Sequence, residues 1–281
     1  MTSPLILVTG ATGKTGHAIA ARLGRASARL RLASRSPTTL PGAQWSRLDW
    51  SDLTTFDPAL ADVERVYLLA PVGHNSPLDL VGPFIDKALA AGVQRFVLLS
   101  SSQLAEGGPA TGQIHAYLRA VTSQWSVLRP SWFMENFISQ PHLDTIKGEG
   151  VIYSATGTGR VPFVAVDDIA EVGARVLLQD HPPAHDLLIT GPQLLSYDDI
   201  ASQISKSTGK PVRHVGLSVA ELAARHERFG MPANYAQTLA GLDGIIAAGG
   251  EEHLSDAVTN IAGRPGMSFA NFAQQHAAQW R

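Results

Sequence analysis

The turn from Gly10 to Gly16 constrains what this chain can fold into more than any other stretch. A short apolar run, Leu5-Ile6-Leu7-Val8, leads into it, and a helical pattern through Ala18, Ile19, Arg22 and Leu23 leaves it. Gly10, Gly13 and Gly16 stand in the spacing G-x-x-G-x-x-G, a variant of the dinucleotide fingerprint. In that motif one glycine permits the tight turn, one lets backbone approach a pyrophosphate, and one lets helix pack on strand. The free N–H groups and positive end of the following helix then suit phosphate. A glycine triplet alone is a weak signal, and its bland reading is a Gly-rich turn in some other α/β protein. Placed after a strand and opening a helix, it points to a dinucleotide site. Gly10, Thr12, Gly13, Lys14, Thr15 and Gly16 are its expected contacts.

Length and composition narrow the class. The 281 residues have room for one large α/β domain, or a nucleotide domain with a smaller lobe. With 44% hydrophobic and 16% charged residues the chain suits a globular enzyme. The net charge of −2 and the lack of a basic run give no reason to expect nucleic acid or an anionic membrane as partner. There is no cysteine, so disulfides, thiolate catalysis and cysteine-ligated metals are excluded. His142, His181, His185, His214 and His226 lack metal-ligand spacing, and no metal is expected. Ser100-Ser101-Ser102 lacks the G-x-S-x-G elbow of a hydrolase. Leu5–Val8 is too short for a signal sequence, and no segment approaches the ~18 apolar residues of a membrane span. The expectation is a soluble, cytoplasmic protein, monomeric or homodimeric.

Strand and helix patterns alternate through the first half, which predicts a Rossmann-like, doubly wound parallel sheet. The expected strands are Leu5–Val8, Leu30–Ala33, Gln44–Leu48, Val66–Leu69, Phe96–Leu99 and Ser126–Leu128. Val161–Val166 and Leu187–Thr190 read as two more. The boundaries that follow are 1–150 for the nucleotide domain, with sheet contributions from 161–190, and 191–281 for a mostly helical, smaller C-terminal substrate lobe. That lobe is expected over the carboxyl edge of the sheet, where ligands of open α/β sheets bind.

The end of the second strand discriminates between cofactors. An acid there accepts from a ribose 2′-hydroxyl, whereas an arginine accommodates a 2′-phosphate. The chain has Ser34-Arg35-Ser36 and no carboxylate from Ser27 to Ser46. Arg35 supplies a planar donor set, and Ser34 or Ser36 can add a hydroxyl. NADP(H) is therefore the expected cofactor. Asp49 suits the adenine edge, and Ala70, Pro71 and Val72 pass the ribose side.

The chain resembles the NmrA-like, atypical branch of the short-chain dehydrogenases over nearly its whole length. The resemblance rests on Val8–Gly16, Phe96–Ser101, Leu128-Arg129-Pro130-Ser131-Trp132-Phe133-Met134-Glu135-Asn136-Phe137, Val164–Ala170 and Leu188–Pro192. It is similar to the ergot-alkaloid reductases, NADPH quinone reductases and flavin-free azoreductases of that branch. The resemblance implies NADP(H) on a Rossmann fold, with Ser100, Ser101 and Pro130 also near the cofactor. It implies no flavin. Ordinary short-chain dehydrogenases pair Tyr-x-x-x-Lys with a serine, but Tyr117 is followed four residues on by Val121. His115 stands about where the branch carries a helix Lys or His. It reads equally as a ribose contact or proton donor and as a solvent-facing helix histidine. Tyr117 is the other catalytic candidate. Trp132, Phe133, Asn136 and Phe137, with His74 and Gln103, are expected to bind a flat aromatic substrate.

Two functions of different class fit these residues. One is an NADPH-dependent reductase of a conjugated acceptor, such as an azo, iminium, imine or quinone group. The other is a non-catalytic sensor of NADP(H), as some members of the branch are.

Overall fold

The computed structural model describes residues 3–71, 73, 74 and 76–281. In chain order its elements are β1 (Leu5–Thr9), α1 (Lys14–Arg25), β2 (Arg29–Ser34), β3 (Ala43–Arg47), α2 (Phe56–Leu60), β4 (Arg65–Leu68), α3 (Leu78–Ala90), β5 (Arg95–Leu99), α4 (Thr111–Val121) and β6 (Trp125–Pro130). Then come α5 (Leu143–Glu149), β7 (Val151–Ser154), α6 (Val166–Leu178), β8 (Asp186–Ile189), α7 (Tyr197–Thr208), β9 (Arg213–Gly216), α8 (Val219–Arg228), α9 (Ala233–Ala247), α10 (Ala257–Ala262) and α11 (Phe269–His276). None of the described helices is long and apolar enough to cross a membrane.

The chain divides into two compact units. The first comprises 1–130, 166–189 and 257–263 and carries a seven-stranded parallel sheet in the order β3-β2-β1-β4-β5-β6-β8. Its central strands are near-continuous apolar runs because helices cover both faces. Every residue of β1 is buried. Phe56 of α2, Phe84 of α3, and Ile114 and Leu118 of α4 pack over Leu7, Val66, Phe96 and Leu98 on one face. On the other, α1 lies along α6, held by Arg22 to Asp167 at 2.5 Å and to Glu171 at 2.9 Å. The chain builds outward from β1 in one direction and from β4 in the other. Their junction is therefore the switch point where the carboxyl ends of the strands leave a crevice.

The second unit comprises 131–165, 190–256 and 264–281. Its core is aromatic. Phe137 lies within 5.3–5.7 Å of the ring centres of Phe163, Tyr197 and Phe269. Ser196 and Asp199 form the capping box that starts α7, and Ser218 and Glu221 form another at α8.

The division differs from the sequence boundaries in two places. After Pro130 the chain leaves the sheet, and Met134, Phe137 and Ile146 enter the aromatic core, so residues 131–165 join the second unit. Residues 257–263, with α10, belong to the first. The expected strand Val161–Val166 does not form. Pro162 has no N–H for a ladder, Phe163 turns into the core, and only isolated bridges remain, Val161 with Leu195 and Phe133 with Val164. The two-stranded parallel pair β7–β9 was not expected from the sequence.

Candidate functional site

The glycine turn sits at the switch point and is built by close approach. Thr9 Oγ1 donates to the Tyr67 carbonyl at 3.1 Å and accepts from Leu69 N–H at 2.7 Å, fastening β1 to β4. Gly10 has φ +61°, and a Cβ there would lie 2.3 Å from Leu69 Cδ2. A Cβ on Gly16 would lie 2.3 Å from the Gly10 carbonyl oxygen, so α1 starts directly against the turn. Gly13, as N-cap, offers no side chain to the first-turn N–H groups, the arrangement that suits an anion. Thr15 is buried and its hydroxyl accepts from Tyr67 Oη at 3.0 Å. Its side chain fixes the helix, which leaves only its backbone for a phosphate.

A cavity of about 610 Å³ opens beside this turn. Gly10 and Thr12 line it from the turn, Ser34 and Arg35 from the end of β2, Asp49 after β3, and Ala70 and Pro71 after β4. The sequence assigned all seven to the cofactor. Arg35 is exposed, at the mouth of a β2 end that carries no carboxylate. The Ser34 hydroxyl is already engaged, donating to the Ser36 carbonyl at 2.6 Å and accepting from Trp45 Nε1 at 3.1 Å. Asp49 accepts from Ser51 N–H at 3.1 Å and Ser51 Oγ at 2.7 Å, and these bonds hold its carboxyl below the usual carboxylate range. His74, expected with the substrate, lines this same cavity, as do Trp50 and Leu80, which sequence reasoning missed. Gly13, Lys14, Thr15 and Gly16 form the turn behind the wall. Val72 lies outside the described residues.

Ser100, Ser101, Gln103 and Pro130 gather at the carboxyl ends of β5 and β6. Ser100 Oγ is 2.7 Å from Thr111 Oγ1, and Ser102 N–H donates to the Pro130 carbonyl. Arg129, which the sequence did not single out, organises this edge. It pairs with Asp186 at 2.6 Å and donates to the carbonyls of Ser101 and Ser102. The Gln103 side-chain nitrogen is buried without a hydrogen-bond partner among the described residues.

The two catalytic candidates on α4 point elsewhere. His115 is 3% exposed, so the solvent-facing reading fails; its ring packs 5.2 Å from that of Trp125. Its Nδ1 has no hydrogen-bond partner among the described residues, and burial lowers its pKa. The Tyr117 hydroxyl donates to Asp86 of α3, which raises the phenol's pKa. Neither lines the 610 Å³ cavity.

The second unit holds its own cavity of about 310 Å³. Trp132 and Asn136, both expected at the substrate, line it with His142, Tyr197, Tyr235 and Asp243. Phe133 does not; its backbone bridges to Val164. Phe137 is a correction to the sequence reading. It is fully buried at the hub of the aromatic core and serves packing rather than the cavity wall. In the same unit Ser154 Oγ lies 2.8 Å from His214 Nε2, whose Nδ1 lies 3.4 Å from Asp198. Ser154 is fully buried and also bonded to Thr156, so this series pins β7 and β9 to α7 and offers no nucleophile.

The chain belongs to the NmrA-like family, whose pattern matches residues 2–261. It is 41% identical to the oxidoreductase YesF of Bacillus subtilis, over 98% of this chain and 96% of that one. It is also 41% identical to the agroclavine dehydrogenase of Claviceps fusiformis, over 98% of each. The NADPH-dependent quinone oxidoreductase QOR2 of Escherichia coli shares the fold, with a TM-score of 0.84, 24% identity, and coverage of 96% of this chain and 99% of that one.

Proposed function

We propose that this protein is an NADPH-dependent, flavin-free reductase of a flat conjugated acceptor carrying an azo, iminium, imine or quinone group. The observation that carries the reading is Arg35, which opens onto the same cavity as Gly10 and Thr12 from a β2 end without a carboxylate. An exposed guanidinium there suits a 2′-phosphate, and the uncapped start of α1 suits the pyrophosphate. Asp49 borders the adenine, and Ala70 and Pro71 the ribose. When bound, NADPH supplies the hydride equivalent. Relatives named as oxidoreductases at 41% identity support the class of reaction.

The acceptor follows from what the chain lacks. The tyrosine–lysine pair is missing, the Tyr117 hydroxyl is held by Asp86, and His115 is buried and neutral. Strong proton donation to an alkoxide has no evident source among these groups. Acceptors that need little of it are favoured, and an iminium needs none. Trp132 and Asn136 offer a wall of the size and polarity that such a ring system requires.

The test is NADPH consumption by the purified protein with quinones, azo dyes and cyclic iminium salts. Turnover of at least one class is expected. Tight NADPH binding with no turnover across the panel would favour the sensor instead.

A further inference from the structure

The cavity of the second unit holds a charged group that the reductase reading leaves unused. Asp243 is the only charged residue of α9, a helix otherwise built of small, apolar and uncharged polar side chains. It is 6% exposed and lines the cavity, and its Oδ2 accepts from the Ala155 N–H at 2.8 Å. The rest of the wall includes the rings of Trp132, Tyr197 and Tyr235. Both histidines on the wall stay neutral near pH 7. Burial pushes His142 down to about 3 and lowers His226. The nearest arginine of the neighbouring groove, Arg225, lies 3.8 Å over the Tyr153 ring and 3.5 Å from Glu149. Asp243 therefore faces the cavity with one backbone donor and no cationic side chain on the wall.

A buried carboxylate without a counter-charge is costly, and natural folds pair such groups. The aromatic rings around this one present negative faces, which attract a cation and repel an anion. We propose that the cavity recognises a monocationic, flat organic ligand, with Asp243 as its counter-ion and the aromatic wall as its cage. Asp243 thus selects cationic over neutral ligands of the same shape. The assignment stands on this cavity alone and does not depend on the reductase reading.

The experiment is calorimetric titration of the full-length protein at mildly alkaline pH with N-methylisoquinolinium and with neutral 3-methylisoquinoline. The wild-type protein should bind the cation about tenfold or more tightly, the scale of one charge-assisted contact. Asp243→Asn keeps the volume and an acceptor for Ala155 N–H. It should bring the cation down to the neutral ligand's affinity and leave the neutral ligand unchanged. Equal wild-type affinities, a preference for the neutral ligand, or a cation preference that survives in Asp243→Asn would each overturn the assignment, and the wild-type comparison needs no variant. NADPH turnover is read on the same preparation. A wild-type protein that shows no cation preference yet turns over NADPH defeats the cavity assignment alone. Cation preference without turnover of any acceptor defeats the reductase reading alone.

Discussion

Tyr67 donates its phenolic proton to Thr15 Oγ1 at 3.0 Å, and both side chains are buried. The bond ties β4 to the first turn of α1, so the position of the phosphate turn depends on it. Tyr67→Phe removes the donor and leaves the Thr15 hydroxyl without it. A loss of about 1–3 kcal/mol in stability is expected by chemical denaturation, with NADPH affinity weakened a few-fold. An unchanged denaturation midpoint would show that the bond carries no load.

Arg35→Ala should weaken NADPH by about 1.5–3 kcal/mol, the range of a charge-assisted hydrogen bond, and barely alter NADH. The check is titration of both nucleotides into both proteins. Equal losses for the two would mean that Arg35 does not meet the 2′-phosphate.

His115 separates a packing role from a chemical one. At 3% exposure against Trp125, its removal should cost about 2–4 kcal/mol, as for other buried large-to-small changes. Turnover of an iminium acceptor should change little, because neither that acceptor nor the buried ring calls for a proton. Unchanged thermal stability with a tenfold or greater fall in kcat would return His115 to the site as a ribose contact or proton donor.

The first unit was legible in the sequence for a physical reason. Parallel strands buried on both faces must be apolar runs, and β1, β4, β5 and β6 are such runs. The glycine spacing then located the switch point, and Arg35 stood out against the missing acid. The second unit was less legible. β7 and β9 are four residues each, and Val151 pairs with Arg213, far along the chain. The block Trp132–Phe137 carries three aromatic rings, but composition does not say which of them faces a core. Phe137 does, while Trp132 and Asn136 line a cavity. Asp243 was overlooked, although a lone charge in the apolar α9 was a signal. Its meaning depends on Ala155, which only folding brings within 2.8 Å.

Asp243 also predicts a pH dependence. Burial raises its carboxyl from 3.8 to about 6 in the folded protein. The folded state then binds more protons than the unfolded state between about pH 4 and 6, so this group's contribution to stability falls as pH rises through that window. About two units correspond to about 3 kcal/mol. Asp243→Asn should match the wild type near pH 4 and exceed it by up to that amount above pH 6, measured as the difference in unfolding free energy without ligand. A difference that stays flat with pH would place the carboxylate in a more solvated setting.

The most direct test of the central claim is the initial rate of NADPH consumption by the EDTA-treated protein, purified without added flavin, with an N-methyl-3,4-dihydroisoquinolinium salt. NADH is run in parallel. Saturable turnover with NADPH, a clear preference over NADH, and no response to added flavin are expected. Activity that tracks flavin content, or saturable NADPH binding with no consumption by this or any other conjugated acceptor, would contradict the assignment as a flavin-free NADPH reductase.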